Sequence, residues 1–268
     1  MGKHIFIFVQ LILATTIMTA QEYQWLYSDP AVEVYLEPEI KRSGGVSRIT
    51  KVHQPRLQIF KPDEKKNNGD FVLICPGGGY QILAIDLEGT EIAEYLTSLG
   101  YTAVVLEYTV PQDRDAALQD VGKAFKDITH FDEFKSDSKM GILGFSAGGH
   151  LAARFSTSEN NTNHTKDQDI VKPDFTVLIY PAYLDKGENG GLSPEIKLSP
   201  QTPPMFIFVA ADDKYAPSSL VLAKALQENK TTVDFHMLAE GGHGFGMREG
   251  VEAAETWPLL LEKWLKKI

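Results

Sequence analysis

From Phe71 onward, short apolar runs alternate with amphipathic stretches, and this rhythm limits the possible folds more than any other feature of the chain. The runs are Phe71-Val72-Leu73-Ile74-Cys75, then residues 102–106, 140–143, 175–180, 205–210 and 233–238. Each is short, rich in Val, Ile, Leu or Phe, and largely free of polar alternation, the pattern of a strand buried on both faces. Helical spacing lies between them, over residues 88–99, 115–128, 147–156 and 217–228, with a last helix over 251–267. Strands separated by helices imply parallel pairing through crossover connections. The expected class is therefore α/β, with a central, mostly parallel sheet and helices on both faces.

Upstream, residues 31–36 and 56–60 read as two further strands, and the charged stretch 61–70 reads as a turn. These predict an antiparallel N-terminal edge. Two segments break the rhythm: 156–172, polar and rich in Asn, and 182–204, rich in Gly, Pro and charge. Both read as surface loops and candidate cleft walls. Neither is long enough to form a domain, and no internal repeat is visible, so residues 21–268 are expected to be one catalytic domain.

Residues 1–20 have the layout of a secretory signal peptide, with Lys3 as a basic start, an apolar run to about Ile17, and cleavage expected after Ala20. That run is too short for a comfortable membrane span. Export to the periplasm or the medium is expected, without stable membrane insertion. Cys75 is the single cysteine, so no intrachain disulfide can form and no lipid-anchoring cysteine lies near the cleavage region. With 36 acidic against 26 basic side chains, the net charge of −10 argues against nucleic acid as a partner.

Gly144-Phe145-Ser146-Ala147-Gly148 matches G-x-S-x-G, directly after one predicted strand and before a predicted helix. Such a turn exposes a serine oxygen and aims a helix N-terminus at it. Pro76-Gly77-Gly78-Gly79-Tyr80 follows the strand ending at Cys75, where a glycine run lets backbone amides turn toward developing negative charge. Gly78, Gly79 and the amide of Ala147 are the candidate oxyanion donors. A phosphate loop is disfavoured because no Lys-Ser/Thr follows the glycines.

Of the seven histidines, His243 in Gly241-Gly242-His243-Gly244-Phe245 is best placed, in a flexible loop after the last predicted strand. His150 reads as a packed helix residue. Asp212 and Asp213 follow the strand ending at Ala210, and either could orient the histidine. Asp213 is favoured by its position four residues before the helix-opening Pro217. The candidate catalytic set is Ser146, Asp213 and His243, which suits acyl transfer and calls for no metal or other cofactor.

Several joined motifs resemble the compact α/β-hydrolases that include bacterial acetylxylan esterases and related carbohydrate esterases. These are Pro76–Tyr80, Glu88-Gly89, Leu106-Glu107-Tyr108, Ala117-Leu118-Gln119-Asp120, Gly144–Leu151, Tyr180-Pro181, Thr202-Pro203-Pro204 and Asp212-Asp213. The chain departs from the pattern at Thr109, where an Arg commonly stands, and at Ala216, where a Val is usual. The resemblance implies an α/β-hydrolase fold and hydrolysis of acetyl or aromatic esters on plant polysaccharides, so the expected partner is a small-molecule or polysaccharide ester. A feruloyl or other small-ester esterase, a peptidase or amide hydrolase on the same fold, and a noncatalytic binding protein are the alternatives.

Overall fold

The computed structural model describes residues 22–27, 36–158 and 172–268. The proposed signal peptide and residues 31–35 of the first expected strand lie outside the described residues. Leu36 is described and belongs to no strand.

An eight-stranded sheet forms the centre, in the order β1-β4-β7-β5-β8-β9-β10-β11. Its strands are β1 (Glu22–Trp25), β4 (Arg56–Phe60), β5 (Phe71–Cys75), β7 (Thr102–Glu107), β8 (Met140–Phe145), β9 (Phe175–Ile179), β10 (Met205–Ala210) and β11 (Val233–Leu238). β4 pairs antiparallel with both β1 and β7, while every pairing from β7 through β11 is parallel. The antiparallel edge exists, with β1 as its outermost described strand. A second sheet of three strands, β2 (Glu39–Ser43), β3 (Val46–Lys51) and β6 (Leu83–Ala84), was not expected from the sequence.

Five α-helices follow the expected pattern: α1 (Glu91–Ser98), α2 (Arg114–Ile128), α3 (Ser146–Thr157), α4 (Ala216–Glu228) and α5 (Glu252–Leu265). They cover both faces of the sheet, as two neighbouring residues of β8 show. A Cβ built on Gly144 would meet Gly148 of α3, whereas Phe145 packs edge-on against Trp257 of α5. Successive strand residues point to opposite faces, so α3 and α5 lie on opposite sides. Tyr95 of α1 joins α5 by a hydrogen bond to Pro258 O, and Phe125 of α2 packs on Phe155 of α3.

β5, β7, β8, β9 and β10 are buried along their whole lengths, which explains their apolar runs. Fully burying one such side chain contributes roughly 1.5–3 kcal/mol relative to exposure. β11 is only half-buried, and it forms the far edge of the central sheet. The C-terminal ends of the parallel strands face one rim, where α/β sheets bind their ligands. The segments leaving β8, β10 and β11 at that rim carry Ser146, Asp213 and His243.

Candidate active site

Ser146 is the first residue of α3, with no spacer after β8, and its φ of +50° lies in the left-handed region. Such a conformation costs on the order of 1–3 kcal/mol in a non-glycine residue. The surrounding glycines permit it. A Cβ on Gly144 would stand 2.2 Å from Gly148 O, and one on Gly148 would stand 2.0 Å from Cys75 O. The helix can thus press onto β5 and hold the serine at the rim.

The structure brings the three candidate catalytic residues together. Ser146 Oγ lies 2.7 Å from His243 Nε2, and His243 Nδ1 lies 2.7 Å from Asp213 Oδ2. The Asp213 side chain is wholly buried, and its other oxygen accepts the Tyr215 N–H at 2.8 Å. An ionised carboxylate only accepts, so the proton on His243 sits at Nδ1 and Nε2 is free to accept from the serine hydroxyl. Asp212 does different work: its Oδ1 accepts the Gly242 N–H at 2.8 Å and fixes the histidine loop. The rings of Tyr180 and Tyr215 stand edge-on to His243, with centroids 5.0 and 4.8 Å away.

The glycine run lies against the serine. A Cβ on Gly77 would be 2.9 Å from Ser146 Cβ, so only glycine allows this approach. The Gly77 N–H is engaged by Glu88 Oε2 at 2.9 Å, while the N–H groups of Gly78 and Gly79 have no acceptor among the described residues. Both have positive φ, at +136° and +67°. Ala147 lies in the first turn of α3, where backbone N–H groups lack intrahelical acceptors. Three amides are thus available for a developing oxyanion.

His150, four residues after the serine, is fully buried and stands apart from this set. Its Nδ1 meets Tyr80 Oη at 2.8 Å and its Nε2 meets Glu195 Oε1 at 3.1 Å. Burial pushes its pKa down to about 4, against the pull of Glu195, so the contact at neutral pH is a hydrogen bond and not an ion pair. Thr109 donates from both its N–H and its hydroxyl to Asp120 Oδ2, at 2.8 and 2.7 Å. Of the remaining histidines, His53 lies 3.5 Å from Glu39, His130 is held by Lys126 O, and His236 packs on Phe206. His4 and His164 lie outside the described residues.

Sequence reasoning missed Glu88 and Tyr180 as parts of the site. Both were visible only as members of longer motifs, and their partners lie 11 to 92 residues away. Among the described residues, no group of three or more His, Cys, Asp or Glu side chains is arranged to hold a metal ion. No described helix is long and apolar enough to cross a membrane.

Comparison with known proteins agrees with this architecture. The family model described as BD-FAE matches residues 57–180, a span that includes the glycine run and Ser146. An acetylxylan esterase from Xylanibacter ruminicola is 28% identical over 243 residues, covering 80% of this chain and 48% of that protein. The chain therefore spans about half the length of this curated relative. Among solved structures, an acetyl ester-xyloside bifunctional hydrolase from Caldicellulosiruptor lactoaceticus superposes with a TM-score of 0.73 at 25% identity, covering 94% of this chain and 98% of that one. MGS-M1, an α/β hydrolase from a deep-sea metagenome library, gives 0.65 at 28% identity, covering 86% and 97%. Thermogutta terrifontis esterase 2, with a TM-score of 0.69 at 18% identity over 92% and 94%, shares the fold. With a mixed sheet of this order and a serine at the strand–helix elbow, the chain has the α/β-hydrolase fold and is similar to bacterial acetylxylan esterases and related carbohydrate esterases.

Proposed function

We propose that this carboxylic ester hydrolase removes acetyl groups from plant polysaccharides or their oligosaccharides through an acyl-enzyme on Ser146. The observation that carries the mechanism is the unbroken hydrogen-bonded chain from Ser146 through His243 to Asp213, with both links at 2.7 Å. Ser146 Oγ attacks the ester carbonyl while its proton passes to His243 Nε2, and Asp213 stabilises the resulting imidazolium. The carbonyl oxygen gains charge and is met by the amides of Gly78, Gly79 and Ala147. The C–O bond to the sugar then breaks, and His243 returns the proton to the leaving alkoxide. Water repeats the sequence on the acyl-enzyme, releasing acetate and free Ser146.

Two features support a small acyl group on a sugar. First, Tyr215 stands 4.8 Å from the His243 ring and packs on Tyr183 with centroids 5.7 Å apart, which sets two aromatic rings beside the base that must reach the leaving oxygen. Aromatic walls suit the apolar faces of a pyranose. Second, the connection between β9 and β10 is a loop folded on itself, with Ser193 N–H bonded to Leu184 O and Gly187 N–H to Gly191 O. It is too short for a lid domain that could bury a long acyl chain. An exported enzyme, as residues 1–20 suggest, would meet such polymers outside the cytoplasm.

The test is kcat/KM on p-nitrophenyl esters of increasing chain length. Acetate should be the best substrate, with activity falling by octanoate; each buried CH₂ would otherwise add about 0.8 kcal/mol. A rise from acetate to octanoate indicates a lipase-like acyl tunnel and overturns the carbohydrate-esterase reading.

A further inference from the structure

Beside the glycine run lies a carboxylate that the acyl-transfer steps above do not use. Glu88 belongs to a short π-helical turn, Asp86–Thr90, in which the Thr90 N–H reaches back five residues to Ile85 O at 2.8 Å. Single π turns are concentrated at functional sites. Glu88 is only 4% exposed. Its Oε2 accepts the Gly77 N–H at 2.9 Å, and its Oε1 accepts the Tyr180 hydroxyl at 2.8 Å. Tyr180 Oη in turn accepts the Gly246 N–H at 3.0 Å, three residues beyond His243.

One buried group therefore ties the glycine run to the histidine loop. Gly77 alone separates it from the nucleophile, since a Cβ there would lie 2.5 Å from Glu88 Oε2 and 2.9 Å from Ser146 Cβ. The loop also rests directly on the π turn: a Cβ on Gly246 would lie 2.5 Å from Leu87 Cδ1.

Glu88 makes no ion pair with any Lys or Arg of the described residues, an expensive state for a buried carboxylate. Burial raises its pKa, opposed by the bonds from Tyr180 and Gly77 and by positive charge on His243. The Tyr180 hydrogen has no other acceptor among the described residues, so both Glu88 oxygens act as acceptors. Tyr180, which binds Glu88, stands with its ring 5.0 Å from that of His243, the imidazole that gains a proton during turnover.

We propose that Glu88 is a positioning residue, which orients the oxyanion amides through Gly77 and, through Tyr180, holds the His243 loop and favours its imidazolium. This rests on the Ser146–His243–Asp213 reading. The titratable groups facing His243 are Asp213 from the β10 end, Tyr180 from the β9 end, Tyr215 before α4 and Ser146 from α3. Those facing Glu88 are Tyr180, Tyr108 from the segment after β7, and His243.

The decisive experiment follows phosphonylation of Ser146 by a fluorophosphonate across pH in wild type, Glu88→Gln and Tyr180→Phe. In that reaction the serine O–P bond forms, fluoride leaves, and the serine proton goes to His243, so no natural substrate is needed. Glu88→Gln should react about 10-fold or more slowly on the pH plateau. Its acid limb should also move down by about half a pH unit, because removing a negative charge near the imidazole disfavours the imidazolium. Tyr180→Phe should shift both readouts the same way, and it decides the matter alone if Glu88→Gln does not fold. Folded variants with the wild-type rate, or with a lowered rate and an unmoved acid limb, overturn the proposal. Failure of wild type to react overturns instead the serine-hydrolase reading beneath it.

Discussion

Two adjacent aspartates leave β10 and divide one task between them. The turn after Ala210 buries Asp213 against the imidazole, while Asp212 stays exposed and holds the backbone of the histidine loop. Replacing Asp213 with Asn removes the acceptor that fixes the His243 tautomer, and kcat should fall on the order of 10³–10⁴-fold. Asp212→Asn keeps an acceptor for the Gly242 N–H and removes only an exposed charge, a loss of about 10-fold or less. Steady-state kinetics of the two variants on p-nitrophenyl acetate measures the ranking. An inverted order reassigns the acid to Asp212.

At the scale of elements, α3 carries the most consequence because it holds Ser146 at its start and packs on β5, β8 and β9. Gly148→Ala would drive a methyl group into the backbone at Cys75 O, where no rotamer change gives relief. A destabilisation of about 3 kcal/mol or more is expected, read as a lower urea midpoint. His150, on the same helix, sets a pH dependence. Its pKa is lowered from 6.5 to about 4, so the unfolded chain takes up a proton that the native state refuses between these values. Its stabilising contribution is complete above pH 6.5 and is lost as the pH falls toward 4, by on the order of 3 kcal/mol. Urea unfolding of wild type between pH 7 and pH 4.5 should show this decline, and His150→Gln should flatten it. Equal slopes in the two proteins would mean that His150 titrates alike in the folded and unfolded chain.

The same helix shows what a sequence reveals and what it hides. Ser146 was legible because a G-x-S-x-G elbow is written in consecutive residues, and the core strands were legible because burial on both faces leaves continuous apolar runs. β2 was not, since all five of its residues, Glu39 to Ser43, are exposed and carry no hydrophobic pattern. β6, with two residues, is too short to have a period. Glu88 escaped notice because a carboxylate in a predicted amphipathic stretch reads as solvated, and only the fold brings Tyr180 to it across 92 positions. The choice between Asp212 and Asp213 rested on distance to a proline, whereas the structure separates them by burial and by partner.

Over the whole molecule, the parallel sheet collects residues from three distant parts of the chain at one rim. Ser146 and His243 are 97 positions apart, yet the ends of β8 and β11 bring their side chains to 2.7 Å. The whole chain carries a net charge of −10, which disfavours an anionic polymer as its partner. The proposed substrate class rests on the paired Tyr183 and Tyr215 rings, the short β9–β10 connection and the similarity to esterases. The most direct test is acetate release from acetylated xylo-oligosaccharides by the purified wild-type protein and by Ser146→Ala, both confirmed as folded. Wild type should release acetate, and Ser146→Ala should be slower by on the order of 10³-fold or more. Acetate release at an equal rate by both proteins, or none by a wild type that still reacts with a fluorophosphonate, would contradict the account.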